Sequence, residues 1–95
     1  MATLFSDKIK ALREKLGVPQ RKLAAAIDID TATYSKIENG LYLPKKEMVI
    51  ALAEFFKCDA DELLKYWMAE KISSVAGEDK GIARDALKIV EETLK

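Results

Sequence analysis

Histidine is absent from the 95 residues, cysteine occurs once, and proline and glycine occur only two and four times. With no His, a single Cys58, no Gly-rich phosphate loop and no cluster of metal-ligand residues, the chain offers none of the usual parts of an enzyme active site. No catalytic residue, cofactor, metal or small-molecule ligand is expected. Few glycines and prolines, abundant Ala, Leu, Lys and Glu, and no run of alternating β-branched residues exclude a hairpin-rich fold and predict an all-α class. The longest uninterrupted apolar stretch, residues 48–53, is far short of the roughly 18 residues of a membrane span, so no membrane partner is expected. The opening MATLFSDK lacks the basic segment and apolar run of a secretory signal, and an unpaired Cys58 fits a reducing compartment. A cytoplasmic location is the expectation.

Net charge is also lacking, with 16 basic and 16 acidic residues. This balance hides a division: residues 1–46 carry nine Lys/Arg against five Asp/Glu, and residues 47–95 carry seven against eleven. One half is suited to phosphate, the other to water or another protein.

What the chain does contain is helical punctuation. Phe5, Ile9, Leu12 and Leu16 recur at helical spacing, and Gly17 follows as a stop. Pro19 suits a helix start, so a second helix is predicted over residues 20–27, with Leu23, Ala24 and Ile27 inward and Ala24-Ala25 small enough for close helix approach. Asp30 can cap a third helix beginning at Thr31 and ending near Asn39-Gly40. Val49, Leu52, Ala53 and Phe56 mark a fourth helix over residues 45–57. Asp59 with Glu62 is a capping-box signal for a fifth, which carries Leu63, Leu64 and Trp67 and runs on toward Val75. After Gly77 a sixth helix is predicted, striped by Ile82, Ala86, Ile89, Val90 and Leu94. That stripe suits packing on its own domain or across a dimer axis. The expected division is a domain over residues 1–68 and a helical extension over residues 69–95, the latter a dimerisation or partner-binding element.

The third helix carries the functional signal. At about 100° per residue, Thr33, Tyr34 and Ile37 fall on one side, and Thr31, Ala32, Ser35, Lys36 and Asn39 on the other. Short polar side chains let a helix sit close to base edges in a major groove about 12 Å wide. Lys36 can donate to guanine or phosphate, Thr31 and Ser35 can donate or accept, and Ala32 can meet a thymine methyl. Gln20 begins the preceding helix, where its amide and the helix dipole both favour phosphate. Asn39, Tyr42, Lys45 and Lys46 follow the reading helix and suit the far side of the groove.

Leu12-Arg13, Gln20 with Leu23-Ala24, the SKIENG run at residues 35–40, Pro44, Leu52-Ala53 and the DADELL run ending at Leu64 together resemble the lambda-repressor-like (Xre or Cro type) helix-turn-helix family. The resemblance spans about residues 5–64, two thirds of the chain. It implies a compact five-helix fold, here with an additional C-terminal helix, usually a homodimer on double-stranded DNA and usually a transcriptional regulator. It implies base reading by Thr31, Ala32 and Lys36, with Ser35 and Thr33 as auxiliaries, and backbone contact by Gln20; Arg21, Thr33, Asn39, Tyr42, Lys45 and Lys46 are the further backbone candidates of this chain. It also implies a structural ion pair between Arg13 of helix one and Glu38 of helix three. The chain departs from the family at Pro19, where Ser or Thr is favoured, at Asp28, where Gly is common, and at Leu41-Tyr42-Leu43, where basic residues are common. Leu41 and Leu43 are expected to cover the core or a partner. The expected role is a repressor or autoregulator; the alternative is an antitoxin-type module that binds a protein through its last helix.

Overall fold

The structure is a computed structural model describing residues 4–95; the first three residues of the segment read for a signal lie outside them. The described residues form six helices and no strand: α1 Leu4–Leu16, α2 Gln20–Ala26, α3 Thr31–Glu38, α4 Lys46–Phe56, α5 Ala60–Ala76 and α6 Lys80–Leu94. The all-α class is therefore correct.

Each early boundary has a local cause. Gly17 takes φ +70° and its N–H reaches back to the Arg13 carbonyl at 3.0 Å, which ends α1. Pro19 supplies no side-chain cap to α2. Asp30 does cap α3, its Oδ1 accepting from the Thr33 N–H at 2.8 Å. Hydrogen bonding from the Thr33 side chain first, and then from this N–H, holds the Asp30 carboxyl below the usual range. Asp28 sits at φ 60° between α2 and α3, where an Asp is tolerated better than most residues.

The core is built from α1 to α5: Phe5, Ile9, Leu23, Ile27, Tyr34, Ile37, Val49, Leu52, Leu63 and Trp67 are all buried. Two side chains tie this core to distant backbone. Glu70 on α5 is buried and its Oε1 accepts from the N–H groups of Phe5 and Ser6 at 3.0 and 3.1 Å, satisfying donors that the first turn of α1 leaves open. Trp67 donates its indole N–H to the Pro44 carbonyl at 2.8 Å, fixing the connection between α3 and α4.

Several sequence expectations need correction. Leu16 closes the α1 stripe on paper but is 53% exposed, because the chain turns away at Gly17 before a partner helix can cover it. Leu41 is 77% exposed and does not cover the core, whereas Leu43 and Tyr42 pack against it. Asp59 caps α5 through the Asp61 N–H at 3.1 Å, but Glu62 does not complete the box and pairs with Lys65 instead. Ala24 is buried and Ala25 is exposed, so only the first allows close helix approach. Lys45 and Lys57 flank α4 as caps, the latter at φ 55°. As expected from the sequence, α5 runs on unbroken past residue 68, to Ala76.

Candidate nucleic-acid interface

Burial of Tyr34 and Ile37 fixes the rotation of α3 about its own axis. With these two in the core, Thr31, Ala32 and Lys36 are exposed and Ser35 and Thr33 are half-buried. The exposed surface is small and polar over the first turn and positive one turn later. The exposed side chains of its first turn, Thr31 and Ala32, are too small to hold the helix away from a groove floor.

Glu38 connects α3 to both preceding helices. Its side chain is only 1% exposed, and its Oε2 accepts from Arg13 Nε at 2.7 Å while its Oε1 accepts from Arg13 Nη2 at 3.0 Å. The arrangement is the two-pronged guanidinium–carboxylate pairing, which fixes geometry as well as charge. Arg13 spends a further donor on the Val18 carbonyl at 3.1 Å, anchoring the turn between α1 and α2. The same Glu38 Oε1 accepts from Gln20 Nε2 at 3.2 Å. Burial opposes ionisation of Glu38, but the hydrogen bonds from Arg13 and Gln20 outweigh it and hold its pKa below the ordinary 4.5. Hydrogen bonding to Glu38 in turn raises the Arg13 pKa. The Tyr34 hydroxyl lies buried beside this carboxylate without a formed hydrogen bond. Burial first, then the neighbouring negative charge, pushes its pKa well above the tyrosine range.

Gln20 is thus held rather than free. An amide NH2 has two donors, and with one given to Glu38 the other remains for an oxygen ligand in front of α2. Its link to Glu38 was not read from the sequence, although a signal exists: Glu38 follows Tyr34 by four residues, which at about 100° per residue puts it only about 40° from a core position. A carboxylate there needs partners.

The remaining candidates fall around this centre. Arg21 is exposed on the first turn of α2, and Asn39, the C-terminal cap of α3, is exposed with its N–H on the Ser35 carbonyl at 3.0 Å. Tyr42 is half-buried against the core, and Lys45 and Lys46 are exposed at the start of α4. The Trp67 hydrogen bond to Pro44 immobilises the segment that carries Tyr42 on one side and Lys45 on the other. No sequence pattern announced that tether.

Comparison with known proteins agrees with this geometry. The helix-turn-helix family matches residues 9–63, from the middle of α1 to the first turn of α5. The chain is 26% identical over 67 residues to the uncharacterized HTH-type transcriptional regulator YgzD of Bacillus subtilis, covering 70% of this chain and 98% of that protein. It is 36% identical over 61 residues to the cryptic phage CTXphi transcriptional repressor RstR of Vibrio cholerae, covering 64% of this chain and 55% of the repressor. The chain therefore aligns with about half the length of that repressor. No solved structure shows a significant match. A family match over more than half of the chain, on five helices with a capped and core-anchored α3, places this protein in the lambda-repressor-like helix-turn-helix family.

Proposed function

We propose that the chain is a sequence-specific, DNA-binding transcriptional regulator, acting as a repressor or autoregulator in the cytoplasm and binding a near-palindromic operator as a homodimer. The observation that carries this reading is the division of α3, with Tyr34 and Ile37 fully buried and Thr31, Ala32 and Lys36 exposed on the opposite side. In this reading α3 lies in the major groove, and Thr31, Ala32, Ser35 and Lys36 meet base edges. Gln20, Arg21, Thr33, Asn39, Tyr42, Lys45 and Lys46 meet the phosphate backbone on either side. Gln20 suits that task because Glu38 already fixes its amide plane. The names of the two relatives, a transcriptional regulator and a repressor, favour the same role. The stretch after residue 68 contributes association rather than base reading.

Two subunits related by a two-fold axis would place their α3 helices about one DNA turn, roughly 34 Å, apart. Selection of bound duplexes from a random pool tests the proposal directly. Enrichment of an inverted repeat is expected, with affinity falling steeply as salt rises. Failure to enrich any motif at low salt would sink it.

A further inference from the structure

Beside the connection between α3 and α4 lies a cavity of about 420 Å³ that no sequence pattern announces, because its two walls are far apart in the chain. One wall is the connection itself, residues 40–43, and the other is the second half of α5 with its cap, contributing Glu70, Ser73, Ser74 and Gly77. Both walls are tethered. The Trp67 indole fixes the connection through the Pro44 carbonyl, and Glu70 fixes α5 to the start of α1 through the Phe5 and Ser6 N–H groups. Small-molecule sites are preformed hollows of roughly 300–1,000 Å³ that combine apolar wall with a few polar groups, and this cavity meets each condition.

We propose that the cavity binds a small organic cation, a primary ammonium carried on a compact apolar body. The site stands apart from the DNA-facing residues and does not depend on their role. Charge selects the ammonium. Glu70 is only 7% exposed and places a carboxylate in the wall, while none of the described lining residues is basic. Lys71, next in the chain, lines a different cleft and holds its Nζ 4.7 Å from the centre of the Trp67 ring. The cavity also borders the C-terminal end of α5, capped by Gly77, where the helix dipole leaves a partial negative charge of roughly half an elementary unit. An anion is opposed by both charges, and a neutral ligand gains from neither.

Hydrogen bonding and shape define the rest of the ligand. An ammonium has three donors and no acceptor, and the α5 wall supplies acceptors in the Ser73 and Ser74 hydroxyls. The opposite wall offers Leu41, Tyr42 and Leu43, of which Leu41 is 77% exposed. An apolar body laid over Leu41 removes it from water, which favours an aryl or branched alkyl amine over a bare ammonium ion.

The full chain, isotopically labelled and free of DNA, is titrated with phenethylamine, with phenylethyl alcohol of similar shape, and with phenylacetate. Two of the four glycines, Gly40 and Gly77, line the cavity and report from the glycine region of the amide spectrum. Phenethylamine is expected to shift both in a saturable way, with a dissociation constant of about 0.1–1 mM for a ligand of this size. The alcohol should bind about tenfold more weakly and phenylacetate not at all. Glu70→Gln keeps an acceptor for the Phe5 and Ser6 N–H groups but removes the charge, so the amine should fall to the affinity of the alcohol. Ser74→Phe places a ring in the cavity from an exposed position and should abolish binding of both, with the helical signal and thermal midpoint retained. This second variant carries the test if the first fails to fold. Equal affinity for amine and alcohol overturns the proposal, as do shifts that never saturate or that centre on another surface, or a Ser74→Phe chain that binds unchanged. The regulatory reading fails separately: a chain that binds the amine but selects no duplex refutes that reading alone.

Discussion

Replacing Arg13 with Met leaves the Glu38 carboxylate, 1% exposed, with Gln20 as its sole remaining formed hydrogen bond among the described residues. Removing one partner of a buried ion pair costs about 3–5 kcal/mol, and the 16% exposure of the Arg13 side chain argues for the lower end. Proton uptake limits the part of this loss that comes from the stranded charge. A carboxyl that starts near its ordinary pKa of 4.5 can become neutral at pH 7 for about 3.4 kcal/mol, at 1.36 kcal/mol per pH unit. The expected loss is therefore about 3 kcal/mol at pH 7, or roughly 12–24 °C in melting temperature for a domain of this size. Urea titration followed through the single Trp67 measures it. The sign with pH is fixed by the depressed pKa of Glu38. Its contribution is fully present above the unfolded value and disappears as pH falls through the folded one. The difference between wild type and Arg13→Met should accordingly shrink toward pH 4 and below. Arg13→Met with Glu38→Gln should recover part of the loss at pH 7, since no unpaired charge remains. A loss under about 1 kcal/mol, or an equal loss at pH 7 and pH 3, would refute the reasoning by showing a solvated surface pair.

Other positions give sharper single effects. Asp30→Ala removes the α3 cap and should cost about 1 kcal/mol in urea denaturation. Lys57→Gly relieves a left-handed residue at the end of α4 and should stabilise by about 0.5–1 kcal/mol in the same assay. Trp67→Phe strands the buried Pro44 carbonyl and should cost about 1–3 kcal/mol, an effect that near-zero change in the thermal midpoint would contradict. Lys45→Ala with Lys46→Ala should weaken duplex binding evenly across sequences and lower the salt slope by about 2, whereas a change in preferred sequence would make them base contacts.

The parts of the fold that the sequence shows are those written in local spacing. Gly17, Asp30 and Gly77 stand at helix boundaries where a stop or a cap is needed, and Tyr34 and Ile37 declare the inner side of α3 by their interval. Side chains that reach far along the chain leave no such trace. The grip of Glu70 on Phe5 and Ser6 spans 65 and 64 residues, and that of Trp67 on Pro44 spans 23. Gln20 illustrates the same limit within the candidate interface: its helix-start position is readable, its attachment to Glu38 is a tertiary fact. Leu16 fails for the opposite reason, since periodicity records apolar character and not whether a neighbour arrives to cover it. The stripe of α6 is likewise plain as a pattern, while its neighbour is set by surfaces outside the helix.

Glu70 also decides how short this protein can be made. It lies seven residues beyond the segment matched by the family, yet it closes the first turn of α1 at the other end of the chain. Trp67 lies outside that segment too. A minimal unit cut at the family boundary would lose the stitch between its two ends and the brace on the connection between α3 and α4, so an autonomous unit has to extend past residue 70.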